Sequence, residues 1–274
     1  MITQSGPRVA GVDLGATLAK LVLLGGEGER ARFPSQDLEA VRGELERWQP
    51  NRIATTGGGA QELGAEFAGV PIETVSEFAA WGAGASELAR AAAIELPTRY
   101  LLVSLGTGTS MLKVEAATAE RVGGCALGGG AFLGLARLLA GSESFAAAAA
   151  LAARGDRKRV DLLVGDIYRQ GGIALPPDLN AASFGKLAST RAEDLADAVA
   201  GMIGENVALI AMALARAEQL ETVVYCGSTL ESNPALQAAL SFVTGALGRR
   251  ALYLPDGAYC GALGAAALAR EGRG

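Results

Sequence analysis

The sequence contains no histidine. That absence removes Ser-His-Asp and Cys-His nucleophilic machinery and every histidine-ligated zinc site, because imidazole is the neutral-pH base and ligand in those arrangements. Any general base must be a carboxylate or a perturbed lysine. Cysteine is scarce as well: Cys125, Cys226 and Cys260 show no metal-binding spacing, and the chain reads as a protein of a reducing cytoplasm. Basic residues number 24 against 29 acidic, for a net charge of −5, and no large lysine or arginine cluster exists to neutralise a row of phosphates, so no nucleic-acid surface is expected. The one basic run, residues 154–159 (Arg-Gly-Asp-Arg-Lys-Arg), contains an acid and reads as a solvated helix connection. Long hydrophobic runs are missing too. Apolar stretches such as 21–24 and 100–105 fall far short of the roughly 20 residues that cross a bilayer, so no membrane span is expected. Residues 1–7 carry no basic stretch followed by an apolar segment, and no secretory signal is expected.

What the chain has is apolar content enough for a core, half of 274 residues, and one pattern that occurs twice. A strand, a tight glycine turn carrying hydroxyls and a returning strand are read at residues 12–20 (Val-Asp-Leu-Gly-Ala-Thr-Leu-Ala-Lys) and at 104–112 (Ser-Leu-Gly-Thr-Gly-Thr-Ser-Met-Leu). Such turns let backbone amides and small hydroxyls approach phosphate oxygens closely, and two of them can hold a polyphosphate. The pattern points to a nucleotide-dependent phosphotransferase.

Periodicity places strands at 9–14, 18–25 and 31–34, a helix at 38–48, a strand at 52–55, a helix at 60–67, a strand at 71–74 and a helix at 77–93. The second half repeats the theme. It has strands at 99–105, 109–115 and 120–122, helical stretches at 132–140 and 145–153, and a long helix at 192–220. Strand 222–226, helix 235–247, strand 251–254 and helix 262–270 complete it. The duplicated topology implies two α/β domains, 1–95 and 96–274, of the ribonuclease H-like, actin-like ATPase kind with a nucleotide cleft between them. A single doubly wound sheet is the competing architecture, but there the glycine turn opens a helix, whereas here it opens a second strand.

In the first hairpin, Asp13 is placed to hold a magnesium ion, directly or through water, while Gly15, Ala16 and Thr17 present the turn to phosphate oxygens and Lys20 adds a compact charge. An ordinary hairpin whose aspartate makes an Asx-type hydrogen bond accounts for the same residues. In the second, Gly106, Thr107, Gly108 and Thr109 are poor strand chemistry and are better explained by a ligand, although a flexible turn remains an alternative. Two more glycine clusters, Gly57-Gly58-Gly59 and Gly128-Gly129-Gly130, each precede a helix, where free amides can face an anion or a small acceptor; a tight helix start explains either equally well. Glu77 follows Ser76, a candidate N-cap, and is the candidate base, though an acid in a first helical turn also serves as dipole compensation.

Taken in order, residues 11–20, 57–60, Ser76-Glu77-Phe78, 106–110, 121–124, 127–130 with Gly134, 161–168, 182–185 and 225–228 resemble the type II pantothenate kinases, from about residue 8 to the C-terminus. The resemblance implies ATP- and magnesium-dependent phosphorylation of the pantothenate primary hydroxyl, the first committed step towards coenzyme A. It implies that Glu77 is the catalytic glutamate, that Arg121 lies near the acceptor and the reactive phosphoryl group, and that Gly57, Gly58 and Gly59 border the acceptor. The two phosphate loops are then Asp13 to Lys20 and Gly106 to Thr109, with Gly128, Gly129 and Gly130 also at the nucleotide and Gly227 and Ser228 beside the adenosine. A homodimer, and coenzyme A or an acyl-coenzyme A as inhibitor, come with the same resemblance. Three positions depart from the family's pattern: Ala16 replaces the second of two glycines, Ser104 replaces asparagine, and Ala79 stands where an acid is usual. An N-acetylhexosamine-type sugar kinase of the same fold is the competing enzyme, but such kinases usually use an Asn-Asp pair, and Ser76-Glu77 is not one. A non-catalytic nucleotide-binding protein is the third reading, supported by Ala16 and Ser104.

Overall fold

The computed structural model describes residues 7–26, 28–116, 118–168 and 175–272. Contacts divide the chain into two compact units, the first made of Met1–Leu102, Leu112–Arg121 and Tyr253–Gly274 and the second of Val103–Met111 and Val122–Leu252.

The chain begins with strands β1 (Val9–Leu14), β2 (Leu18–Leu24) and β3 (Arg30–Pro34), then helix α1 (Leu38–Trp48) and strand β4 (Arg52–Thr56). Strands β5 (Glu66–Phe67) and β6 (Val70–Thr74) and helix α2 (Glu77–Ala91) follow. The sheet of the first unit has the order β3-β2-β1-β4-β6-β5. Strand β1 pairs antiparallel with β2 and parallel with β4, which sets Asp13 opposite Lys20 on one side and beside Thr56 on the other. Side chains alternate across the sheet. Ala10, Val12 and Leu14 pack with Leu21, Leu23, Ile53 and the α1 residues Val41, Leu45 and Trp48 in one core cluster. Val9 and Ala54 belong to the opposite face, together with Ala80 of α2 and the last helix, α8 (Cys260–Glu271), which brings Ala265, Ala266 and Leu268. By that alternation Asp13, Lys20 and Thr56 share the α2 and α8 face.

Glycine permits the contact on that face. A Cβ on Gly84 of α2 would stand 1.8 Å from the Cys260 carbonyl oxygen, and one on Gly264 of α8 would stand 1.7 Å from the Ala80 carbonyl oxygen. One on Gly11 of β1 would fall 1.9 Å from the Ala262 carbonyl oxygen. Two helices and a strand therefore meet backbone to backbone, closer than any side chain allows.

Next come β7 (Arg99–Leu105), β8 (Thr109–Glu115), β9 (Thr118–Cys125), α3 (Gly129–Ala140), α4 (Phe145–Ala152), β10 (Leu162–Leu163), α5 (Val164–Ile167), β11 (Asn180–Ala182) and α6 (Ala192–Ala217). Strand β12 (Thr222–Cys226), α7 (Pro234–Ala246) and β13 (Arg250–Tyr253) precede α8. A five-stranded sheet has the order β13-β12-β7-β8-β9, and β10 and β11 form a small sheet of their own. Helix α6 is long and apolar enough to cross a bilayer, yet 67% of its apolar window is buried by the protein. Its buried residues, among them Ala200, Ile203, Val207 and Ala211, make it a core helix of the second unit, packed on α3, α4 and α7.

Several sequence expectations are corrected here. The helix expected at 60–67 is a four-residue 3₁₀ turn, Ala60–Leu63, closed by Gly64 at φ 86° and followed by β5, because that glycine adopts a backbone foreign to an α-helix. Strand β9 extends well beyond the 120–122 expected, and α3 begins three residues earlier than 132. In the basic run 154–159, Arg154, Asp156, Lys158 and Arg159 are exposed as expected, but Arg157 is not. Arg157 lies across Gly201 of α6, pairs with the buried Glu205, and stands 3.7 Å from the fully buried Asp161. The Arg157 amide donates to Asp197 Oδ2 at 2.8 Å, and the Asn180 amide to Glu205 Oε2 at 3.1 Å, so Arg157 and Asn180 are both tied to acids of α6.

Two stability outcomes follow from this packing. Gly264→Ala is expected to lower stability by about 1–3 kcal/mol or more, since its methyl group meets immovable backbone. Gly43→Ala, on the exposed side of α1 with open space around it, is expected to raise stability by roughly 0.5–1 kcal/mol. Urea unfolding of the two variants beside the wild type checks both signs. Arg157→Met, which strands Glu205 and Asp161 as unpaired buried acids, is expected to cost about 3–5 kcal/mol in the same measurement.

Candidate active site

The first hairpin brings charge together. Asp13, the penultimate residue of β1, is 5% exposed, and its Oδ2 lies 3.5 Å from Nζ of Lys20. The same ammonium approaches the turn, since a Cβ on Gly15 would be 3.2 Å from it. Ala16 and Thr17 form the exposed tip, tied down by the Ser35 amide donating to the Thr17 carbonyl at 3.0 Å. Burial holds the Asp13 carboxyl above its ordinary range, and Lys20 opposes that shift without cancelling it.

Glu77 is the first residue of α2 and is half-buried. Ser76 occupies the N-cap position, but its side chain makes no capping hydrogen bond. The Glu77 carboxyl is also held above the ordinary glutamate value, first by burial, next by the Asp13 charge, with Lys20 pulling the other way. Asp13, Lys20 and Glu77 therefore sense one another electrostatically. An acid made reluctant to ionise is an acid made a better base.

Gly57 and Gly59 abut the same strand end. Gly57 has φ 91°, and a Cβ there would be 2.6 Å from the Leu14 carbonyl oxygen and 2.8 Å from Asp13 Oδ1. The Gly59 amide donates to the Leu14 carbonyl at 3.0 Å, so it is engaged by the protein; Gly58 between them is exposed. Trp81 and Gly261 are neighbours that sequence reasoning did not find. A Cβ on Gly261 would be 2.9 Å from both Asp13 Oδ2 and Trp81 Nε1. The signal for Trp81 was its place four residues after Glu77, on the same side of a helix.

In the second unit the Gly106 amide donates to the Gly108 carbonyl at 2.9 Å, closing the turn. The amides of Gly129 and Gly130 donate to the carbonyls of Gly106 and Thr107 at 2.8 and 3.0 Å, and Thr229 Oγ1 donates to the Gly106 carbonyl at 2.7 Å. Those two amides are thus engaged by the loop, in place of the free amides expected from sequence. Since N–H and C=O point oppositely across a trans peptide, carbonyls drawn towards 129 and 130 turn the Thr107 and Gly108 amides to the other side of the loop. A Cβ on Gly128 would lie within 2.9 Å of the carbonyl oxygens of Gly106, Thr107 and Gly108. Thr109 Oγ1 donates to the Leu127 carbonyl at 2.6 Å, so its hydroxyl braces the same corner. Gly227, at φ 111°, passes so close to Leu105 that a Cβ would stand 2.2 Å from its carbonyl oxygen; Ser228 then starts a 3₁₀ turn.

The Arg121 side chain is exposed on β9 and makes no ion pair or hydrogen bond with a described residue. It shares a strand face with Ala119, whose Cβ would lie 2.8 Å from a Cβ on Gly82 of α2. Among the described residues no group of three or more metal-ligating side chains exists.

The sequence pattern of the family described as Fumble matches residues 32–268. A protein of Staphylococcus haemolyticus (strain JCSC1435) named type II pantothenate kinase is 33% identical over 264 residues, which is 93% of this chain and 97% of that protein. This chain belongs to the type II pantothenate kinase family. Solved structures agree on the fold. Component A of the (R)-2-hydroxyglutaryl-CoA dehydratase of Acidaminococcus fermentans superposes with a TM-score of 0.66 at 20% identity, covering 98% of this chain and 99% of that one. A ROK-family glucokinase of Streptomyces griseus gives 0.63 at 13% identity, covering 96% and 99%. An archaeal actin homolog gives 0.56 at 12%, again covering 96% and 99%. The α/β fold of actin-like ATPases expected from the two hairpins is therefore the observed one, and the kinase family places the chain among enzymes.

Gly128→Ala is expected to destabilise by about 1–3 kcal/mol and to speed amide exchange at Gly129 and Gly130, because the added methyl pushes the two loops apart. Hydrogen exchange followed by mass spectrometry on the 105–132 peptides checks this.

Proposed function

We propose that this protein transfers the γ-phosphoryl group of ATP to the primary hydroxyl of pantothenate, giving 4'-phosphopantothenate and ADP at the head of coenzyme A synthesis. The observation that carries the reading is the coupled set Asp13, Lys20 and Glu77 on one face of the first unit, in a chain one-third identical to a type II pantothenate kinase. Glu77 accepts the hydroxyl proton as the new P–O bond forms and the bond to the β-phosphate oxygen breaks, ADP leaving with that electron pair. Lys20 neutralises charge at the first turn, and the outward amide of Gly108 does so at the second. Arg121, unengaged by any described side chain, is available to the acceptor or the reactive phosphoryl group. Phosphoryl transfer needs such positioning and charge compensation more than covalent chemistry, so the lack of histidine is no obstacle.

The residues fit magnesium. An ion that keeps several waters and binds substrate phosphates needs one or two protein carboxylates, not a cage, and Asp13 supplies a buried carboxylate that is short of compensating charge. When bound, the ion supplies charge neutralisation to the phosphates. A cytoplasmic location, a homodimer and inhibition by coenzyme A or its acyl forms belong to the same reading and rest on the family.

Coupled detection of ADP with magnesium-ATP tests the function. Turnover with pantothenate is expected, with none from a sugar panel or without acceptor, and Glu77→Gln is expected to lower kcat by about 10²–10⁴-fold. Turnover of a sugar in its place, or of nothing, would overturn the proposal. The base must be ionised to act, so the acid limb of kcat/KM should fall above the ordinary glutamate range. Lys20→Met removes the influence that lowers both carboxyls and should move that limb to still higher pH.

A further inference from the structure

Trp81 is a feature of the first unit's charged face that the proposed chemistry leaves unused. It lies four residues beyond Glu77 on α2, so its side chain rises from the same side of the helix. Its backbone is fixed, since its carbonyl accepts a hydrogen bond from Cys260 Sγ at 3.2 Å next to the glycine contact of α2 with α8. Its indole Nε1 and Asp13 Oδ2 each lie 2.9 Å from the point that a methyl group on Gly261 would occupy, so glycine at 261 leaves the two side chains as neighbours. Any larger residue at 261 would displace one of them. The N–H donates to no described residue, and the ring is half-buried, with the Phe78 ring centroid 6.2 Å away. The protein's other tryptophan shows the contrast: Trp48 is 1% exposed, and its Nε1 is sealed in the core. A tryptophan that keeps an apolar body in the fold and an unengaged donor beside a buried carboxylate is built to meet an acceptor that arrives from outside.

We propose that Trp81 is a ligand-binding residue of the phosphoryl-transfer site, its indole N–H donating to an oxygen of the magnesium-nucleotide gathered at Asp13, either on a phosphate or on a water of the ion. The inference rests on the nucleotide reading of Asp13 given above. The donor acts on the bound nucleotide in ground state and transition state alike, so its loss weakens binding and spares the chemical step. Trp81→Phe keeps a ring and removes the donor. It is expected to raise KM for magnesium-ATP about tenfold or more, within the range for a hydrogen bond to a charged group, while kcat and KM for pantothenate stay within twofold.

Binding read without turnover separates this inference from the function. A magnesium complex of a non-hydrolysable ATP analogue is titrated into wild type, Trp81→Phe and Trp48→Phe, by calorimetry and by tryptophan emission. Thermal melting confirms that each variant is folded. The expected result is an emission change that persists in Trp48→Phe, where Trp81 is the remaining indole, and disappears in Trp81→Phe, with the dissociation constant of Trp81→Phe raised about tenfold. Equal affinity of wild type and Trp81→Phe overturns the Trp81 role and leaves the kinase reading standing. Weakened nucleotide binding in Trp81→Phe, in a protein that does not phosphorylate pantothenate, upholds the Trp81 role and overturns the acceptor. No nucleotide binding by the wild type overturns both.

Discussion

The first unit depends on a contact made by the lack of side chains. Gly84, Gly264 and Gly11 let α2, α8 and β1 meet along their backbones, with carbonyl oxygens standing where methyl groups would otherwise be. That approach fixes where α2 begins relative to where β1 ends. Glu77 is the first residue of one and Asp13 the penultimate residue of the other. The Asp13 charge adds to burial in raising the Glu77 carboxyl, and Lys20 pulls both carboxyls the other way. Interactions between charges in such places change steeply with both distance and solvent access. A packing constraint in the apolar layer is therefore also a constraint on proton affinity at its edge.

The second unit uses glycine differently. Around the turn at 106–108 the question is not how near two helices can come but which way peptide groups point. Gly128 gives room, Gly129 and Gly130 give amides, and Thr229 gives a hydroxyl, and all four act on the carbonyl side of the turn. A loop whose carbonyls are held from behind needs no reorganisation to present its amides in front. Preorganised dipoles of this kind stabilise transferring phosphates without a cost at the moment of reaction.

Much of this was legible in the sequence, and the rest was hidden for identifiable reasons. The two hairpins announced themselves because glycine and hydroxyl residues are dense there and flanked by alternating apolar strands. The placement of Asp13 at a strand end and of Glu77 at a helix start was legible, because apolar periodicity marks both elements. For the amides of Gly59, Gly129 and Gly130 the sequence left two readings open, because a string of glycines says that backbone comes close to something without saying whether that is a ligand or another loop. Arg157 was misjudged because its partners, Asp161 aside, lie about 40 to 48 residues away on α6, and a basic run reveals nothing of distant acids. Trp81 and Gly261 could not be joined at all, since the chain between them spans most of the protein. Helix α6 hid its nature in the opposite sense, being apolar enough for a membrane and buried instead in its own core.

The glycine contact has one more consequence, for how this protein can change over generations. Residues of ordinary size can be exchanged for smaller or larger ones, and a neighbour's growth can be answered by a retreat. At Gly84 and Gly264 no smaller residue exists. Every single-base change that alters a glycine codon adds a side chain or ends translation, so errors at these positions all push in one direction. Adjustment there has to come from the carbonyl-bearing partner strand or helix, which cannot shrink its backbone. The helix pair that carries Glu77 is thus closed to gradual variation at its centre.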